Sequence, residues 1–152
     1  MQSDAFPVND ASTTGQTTLD GLLTGLTKRA PGTVRVLLAS GDGLKLAYTD
    51  KDVDKADEMA AVMSGLYSLG RGIFKHTAGG VRQVVVEHDG GRLFVMSAGA
   101  GATDPSVVGT VLGVLALPSA EPGLVGYEMT TLIKGLDEHL ITEARTNKYS
   151  GQ

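Results

Sequence analysis

Histidines, a run of aspartates, a glycine-rich loop and two arginines are the parts of this chain whose types could do chemistry. His76, His88 and His139 lie far apart without metal-ligand spacing, so solvated or hairpin-end imidazoles account for them better than a metal site or a general base. Asp50, Asp52, Asp54 and Asp57 could open a calcium loop, but the central Gly and terminal Glu of an EF-hand are missing. Carboxylates crowded at the start of a helix complement its positive end instead, by about 0.3–1 kcal/mol each. Gly99-Ala-Gly101 lacks the third glycine of a dinucleotide cradle, and Asp104-Pro105 stands where the helix should open. The chain has no Gly-x-x-x-x-Gly-Lys-Ser/Thr loop and no Gly-x-Ser-x-Gly elbow; Ser64 and Ser68 fall inside a helical pattern. Arg71 and Arg82 flank a helix break, where an ordinary surface or salt-bridged arginine accounts for them better than an anionic partner or a nucleotidase site completed in trans. The enzyme signatures are absent, and the reading is a noncatalytic protein with no cofactor and no metal.

The totals narrow the class further. A chain of 152 residues is one domain by length, large enough to bury a core without metal or disulfide help. Zero cysteines exclude disulfides, thiolate metal sites and Cys nucleophiles together. A net charge of −4 argues against a general nucleic-acid binder, and zero Trp with three Phe leaves little for a base-stacking platform. The first residues carry neither a basic cluster nor an apolar run, and no window reaches the ~18 apolar residues of a membrane span. A cytoplasmic protein without direct membrane insertion is expected.

The elements that must position these residues follow from periodicity. Residues 1–16 are polar and without period, and are expected to form a disordered arm. Thr17-Thr-Leu-Asp20 has the form of a capping box, followed by a stripe of Leu19, Leu22, Leu23 and Leu26 that Pro31-Gly32 ends. Thr33–Ser40 is a β-type run, Gly41-Asp42-Gly43 signals a hairpin with a two-residue primed turn, and Leu44, Leu46 and Tyr48 alternate with Lys45, Ala47 and Thr49. After a central helix broken by His76-Thr-Ala-Gly-Gly80 come a third strand from Val81 to His88, a turn at Asp89-Gly90-Gly91 and a fourth strand from Arg92 to Ala98. A loop from Gly99 to Gly109 leads to a fifth strand, Thr110–Leu117. Pro118 and Pro122 frame the start of a last helix with the stripe Val125, Met129, Leu132, Leu136 and Leu140; residues 143–152 read as a fraying tail. The fold class is α+β: a five-stranded antiparallel sheet with helices on both faces, in the order α-β-β-α-β-β-β-α.

The central helix is greasy on two sides. Met59, Met63, Leu66, Gly70 and Ile73 make one stripe, Val62, Leu66, Leu69 and Ile73 lean to a neighbouring side, and no charge falls between Ala60 and Leu69. A surface helix of a monomer needs only one apolar stripe. A second partner is therefore expected, with Gly65 and Gly70 allowing close approach. Met59 and Met63 fit either a core or an intersubunit seam. The run Val84-Val85-Val86 is apolar on both faces and, at a sheet edge, would be an aggregation hazard unless paired with another chain.

Several words of the sequence carry a resemblance: Asp42-Gly43-Leu44, Ala56-Asp57-Glu58-Met59-Ala60-Ala61, Ser64-Gly65-Leu66-Tyr67-Ser68-Leu69-Gly70, Val81-Arg82-Gln83-Val84-Val85-Val86-Glu87 and Val125-Gly126-Tyr127-Glu128-Met129. Together, over residues 17–142, they resemble the roadblock (dynein light chain) family, above all its bacterial conservon-type members. The resemblance implies a roadblock/profilin-like fold and a noncatalytic homodimer, with central helices packed together and third strands paired into one continuous sheet. It also implies a role beside a small Ras-like GTPase and a histidine-kinase-like sensor, with any membrane recruitment passing through such partners. Carried onto this chain, the dimer seam comprises Met59, Met63, Leu66, Tyr67 and Gly70 with Val84, Val85 and Val86, and Arg71 and Arg82 are candidate partner contacts. The link between the fourth and fifth strands, Gly99–Gly109 with Pro105, is longer than that family's, which leaves the register of the fifth strand open. The expected function is a regulatory scaffold that modulates a GTPase's nucleotide cycle or localisation; the alternative is a small-molecule sensor domain.

Overall fold

Eight elements follow one another in the expected order: α1 (Ala11–Arg29), β1 (Thr33–Ala39), β2 (Lys45–Tyr48), α2 (Val53–Ile73), β3 (Gln83–His88), β4 (Gly91–Ser97), β5 (Val111–Ala116) and α3 (Pro122–Ser150). This computed structural model describes residues 11–49, 51–99 and 109–150, excepting the side chains of 11–18, 137 and 139–150. The five strands form one antiparallel sheet in the order β2-β1-β5-β4-β3. The two strands richest in uninterrupted aliphatic residues, β1 and β5, lie inside the sheet, where both faces are covered.

Each sheet face carries its own core. On one side Leu23 and Leu26 of α1 and Val125, Met129, Leu132 and Leu136 of α3 pack on Val36, Leu38, Phe94, Leu112 and Val114. On the other, Ala56, Met59, Ala60 and Met63 of α2 pack on Leu37, Ala39, Val95 and Val111. Alternation along the strands divides these residues between the faces. Arg29 of α1 bonds Glu128 of α3 at 2.7 Å, tying the two helices of one layer together.

The fifth strand's register is settled by its two neighbours: Met96 pairs with Leu112 and Leu38 with the same Leu112, so β5 is the sheet's central strand. The loop residues 100–108, and with them Asp104 and Pro105, lie outside the described residues.

Three expectations change. Helix α1 starts at Ala11, ahead of the Thr17–Asp20 box, so residues 11–16 are helical; residues 1–10 of the expected arm lie outside the description. Likewise α3 runs on to Ser150, past the expected end near Thr142. Neither extension adds to the apolar stripes that periodicity reads, yet a nucleated helix lengthens at one hydrogen bond per residue through such polar sequence. Finally, the first hairpin has a three-residue loop, not a two-residue one. Ser40 N–H donates to Leu44 at 2.8 Å, and Gly43 takes φ of +90°, the left-handed conformation that such a loop places at its end.

A bulge follows in β2. Leu38 pairs with Ala47 but Ala39 pairs with Lys45, leaving Leu46 as the extra residue. The bulge breaks the expected alternation: Ala47 enters the core beneath α1, while Leu44 and Leu46 are exposed. Lys45 and Tyr48 both turn to the α2 side, where Lys45 bonds Asp57. That hydrogen bond holds the Lys45 ammonium above its ordinary pKa.

Candidate interaction surface

Of the four aspartates expected to complement the start of α2, one caps it. Asp52 is the N-cap and accepts the Lys55 N–H at 3.2 Å, Asp54 lies in the first turn and Asp57 holds Lys45; Asp50 lies outside the described residues. The acidic group is thereby a cap and an ion pair. Among the described residues no three His, Asp or Glu side chains gather as metal ligands. His76 is exposed in the loop after α2, and His88 Nδ1 accepts the Gly90 N–H at 2.8 Å at the end of the β3–β4 hairpin. The side chain of His139 is outside the description.

What the surface offers instead is α2. Met63 is fully buried and Met59 nearly so, both against the sheet. Met63 fills a hollow that only glycine leaves open: a Cβ on Gly113 of β5 would stand 2.3 Å from its Sδ. Tyr67 is half-buried over the same cluster, its hydroxyl donating to the Val81 carbonyl at 3.4 Å. Gly70 faces its own β3, where an added Cβ would meet a methyl of Val84 at 3.3 Å. So Met59, Met63, Tyr67 and Gly70, assigned above to a seam, point inward within the protomer, and Leu66 stands half-buried at the boundary. The stripe chosen for the seam is the one the sheet needs.

The neighbouring stripe remains outside. Val62 is exposed, Leu69 is 72% exposed and Ile73 80%, while Gly65 opens onto empty space. Periodicity marks Val62, Leu66, Leu69 and Ile73 as the second apolar side; it does not decide which stripe faces the sheet, because both are apolar and they share Leu66 and Ile73.

The two sheet edges differ in a way that matters to assembly. Strand β2 is four residues long, bulged, and carries Lys45. Those are devices that blunt an edge against pairing. Strand β3 pairs with β4 from Gln83↔Met96 to His88↔Gly91 without a register shift, and its other edge has no strand beside it among the described residues. Val84 tucks under α2, whereas Val85 and Val86 are 43% and 40% exposed. The C-terminal half of α2 lies over this edge, through the Tyr67–Val81 and Gly70–Val84 contacts. Exposed helix face and open strand edge are one continuous region.

Arg71 sits in the last turn of α2, its guanidinium 5.9 Å from the centre of the Tyr67 ring, and Arg82 is exposed just before β3. On the opposite sheet face an open groove of about 690 Å³ runs between α3 and the β3–β4 hairpin, floored by Val85, Phe94 and Met96 and walled by Gly126, Tyr127 and Thr130. No described helix is long and apolar enough to cross a membrane.

Residues 19–103 match the Roadblock/LC7 domain family. Among solved structures, a Roadblock/LC7 domain from Streptomyces avermitilis is 44% identical, with a TM-score of 0.72 over 80% of this chain and 97% of that one. Myxococcus xanthus MglB shares the fold at 18% identity, with a TM-score of 0.68 over 84% of this chain and 97% of that one. An MglB in a tetrameric arrangement does so at 14% identity, with a TM-score of 0.70 over 91% and 96%. No curated protein matches the chain.

Proposed function

The chain belongs to the Roadblock/LC7 family, and on that premise we propose that it is a noncatalytic, homodimeric scaffold that binds a small Ras-like GTPase and modulates its nucleotide cycle or its localisation. The observation that carries this reading is the coincidence of an exposed aliphatic stripe on α2 with an unblunted, valine-rich edge on β3. A second copy related by a two-fold axis can satisfy both at once: β3 pairs with its twin, and the two α2 helices close over the junction. The seam is then Leu66, Leu69, Ile73 and Gly65 from the helix with the β3 edge at Val84–Val86, in place of the buried methionines.

The paired helices form a rigid platform for the GTPase. Binding one nucleotide state better than the other shifts the partner's cycle without any chemistry in the scaffold itself. A hundredfold preference corresponds to about 2.7 kcal/mol of differential affinity. A histidine-kinase-like sensor is the second partner of such a complex. The test is titration calorimetry with a candidate small GTPase loaded with GDP or a nonhydrolysable GTP analogue. A clear difference in Kd between the two states is expected; absence of binding in both would overturn the reading.

The groove beneath Tyr127 supports a second reading, a small-molecule sensor, because its size falls within the range of ligand sites. It is open along its length, and Glu87 and Arg92 at its rim are spent on each other at 2.9 Å. Native mass spectrometry separates the two: a retained small ligand favours sensing, a bare dimer the scaffold.

A further inference from the structure

The segment after α2 has a composition that self-association does not use. Between Glu58 and Glu87 the sequence holds no acidic residue, although the whole chain carries a net charge of −4. Within that interval stand Arg71, Lys75 and Arg82, with His76 among them. Every residue from Arg71 to Gly80 is exposed, including Phe74 at 57%. Arg29–Glu128, Lys45–Asp57 and Arg92–Glu87 are ion pairs, and none of the three involves these cations.

The segment is a knuckle rather than a frayed end. Phe74 N–H donates to Arg71 at 3.1 Å and Thr77 N–H to Phe74 at 2.9 Å, so two successive turns hold it in shape. Tyr67, Arg71, Phe74, Lys75, Gly79 and Val81 line one shallow depression, and the Tyr67 ring supports the Arg71 guanidinium from below. One cation in the last turn is enough to complement the negative end of a helix. Arg71 and Lys75 beside an exposed phenylalanine, with Arg82 exposed one residue past Val81, are more than that role requires.

We propose that Arg71, Phe74, Lys75 and Arg82 dock the protein onto an anionic phospholipid surface. Arg71, Lys75 and Arg82 engage headgroup phosphates and Phe74 enters the interfacial layer. The charge sign selects an anionic partner, and the shape selects a bilayer over an acidic protein. An exposed basic turn with one apolar residue at 57% exposure needs no complementary cavity opposite it, and aromatic rings are favoured at the headgroup level. Each protomer carries the whole site, so the proposal does not depend on dimerisation; pairing through β3 would add avidity by presenting two knuckles.

The experiment is co-sedimentation of the full chain with vesicles of phosphatidylglycerol and phosphatidylcholine in a one-to-two ratio, against vesicles of phosphatidylcholine alone. Binding is expected to the anionic vesicles only, and to weaken as salt rises. Each cation near such a surface multiplies partitioning about fivefold, so Arg71→Glu with Lys75→Glu should cost at least about 25-fold. Phe74→Ser should weaken binding severalfold while leaving its salt dependence unchanged. Lys75→Gln with Arg82→Gln, lying in the exposed loop, provides a second variant should the first misfold. Equal binding to both vesicle types, or undiminished binding by the folded variants, would overturn the proposal. So would displacement by millimolar inorganic phosphate, which marks a soluble ligand, or capture on polyglutamate beads without vesicle binding, which marks an acidic protein. Light scattering on the same variants keeps the outcomes apart, since an unchanged mass shows that the self-interface is untouched.

Discussion

Met63 occupies the space that the missing side chain of Gly113 leaves on β5. A methyl group there would meet Sδ, Cε and Cγ of Met63 at 2.3, 2.7 and 3.0 Å, so a swing of the tip alone cannot make room. Gly113→Ala should therefore destabilise the protein by about 1–3 kcal/mol through overpacking. Met63→Ala should cost about 2–5 kcal/mol through the cavity it opens. In the double variant the new methyl fills part of the vacated volume. Urea unfolding of the four proteins should thus show a double loss smaller than the sum, with a coupling of about 0.5–3 kcal/mol. Additive losses would mean that the two residues do not share one space. A related tie, Ser64 Oγ donating to the Ser40 carbonyl at 2.9 Å, fastens the helix to the first hairpin; nothing in the sequence pattern announces it, because a serine among alanines and glycines reads as filler.

At the level of elements, α2 serves two surfaces, and substitutions on its two sides should behave differently. Leu69→Glu on the exposed stripe and Val86→Lys on the β3 edge should keep the native circular dichroism spectrum and lose self-association. Met63→Glu should instead lose the fold, since it places an unpaired charge in the core. If Leu69→Glu unfolds the chain while Met63→Glu leaves it folded and monomeric, the inner and outer faces have been exchanged here. Element order and sheet class were legible because the strands alternate or run apolar and the turns carry Gly and Asp at defined places. Which stripe of α2 meets the sheet was not. The deciding contact is Met63 against Gly113, residues brought together only by the sheet. The bulge at Leu46 was equally invisible, since it depends on how Leu38 and Ala39 pair across the hairpin. The helix ends at Ala11 and Ser150 were missed for another reason: polar helix without a buried face has no period to read.

At the scale of the whole molecule, the proposed dimer would make the protomer a half. Its sheet has one blunted edge and one open edge, and its most exposed aliphatic residues, Leu69 and Ile73, border the open one. Pairing through this region would join two five-stranded sheets into one continuous sheet and set two α2 helices side by side for a GTPase to meet. The most direct test is the absolute mass in solution at micromolar concentration, by light scattering coupled to size exclusion. Twice 15.7 kDa is predicted for the wild-type chain, falling to 15.7 kDa for Leu69→Glu combined with Val86→Lys. A wild-type mass of 15.7 kDa, or a double variant that stays at twice that value, would contradict it.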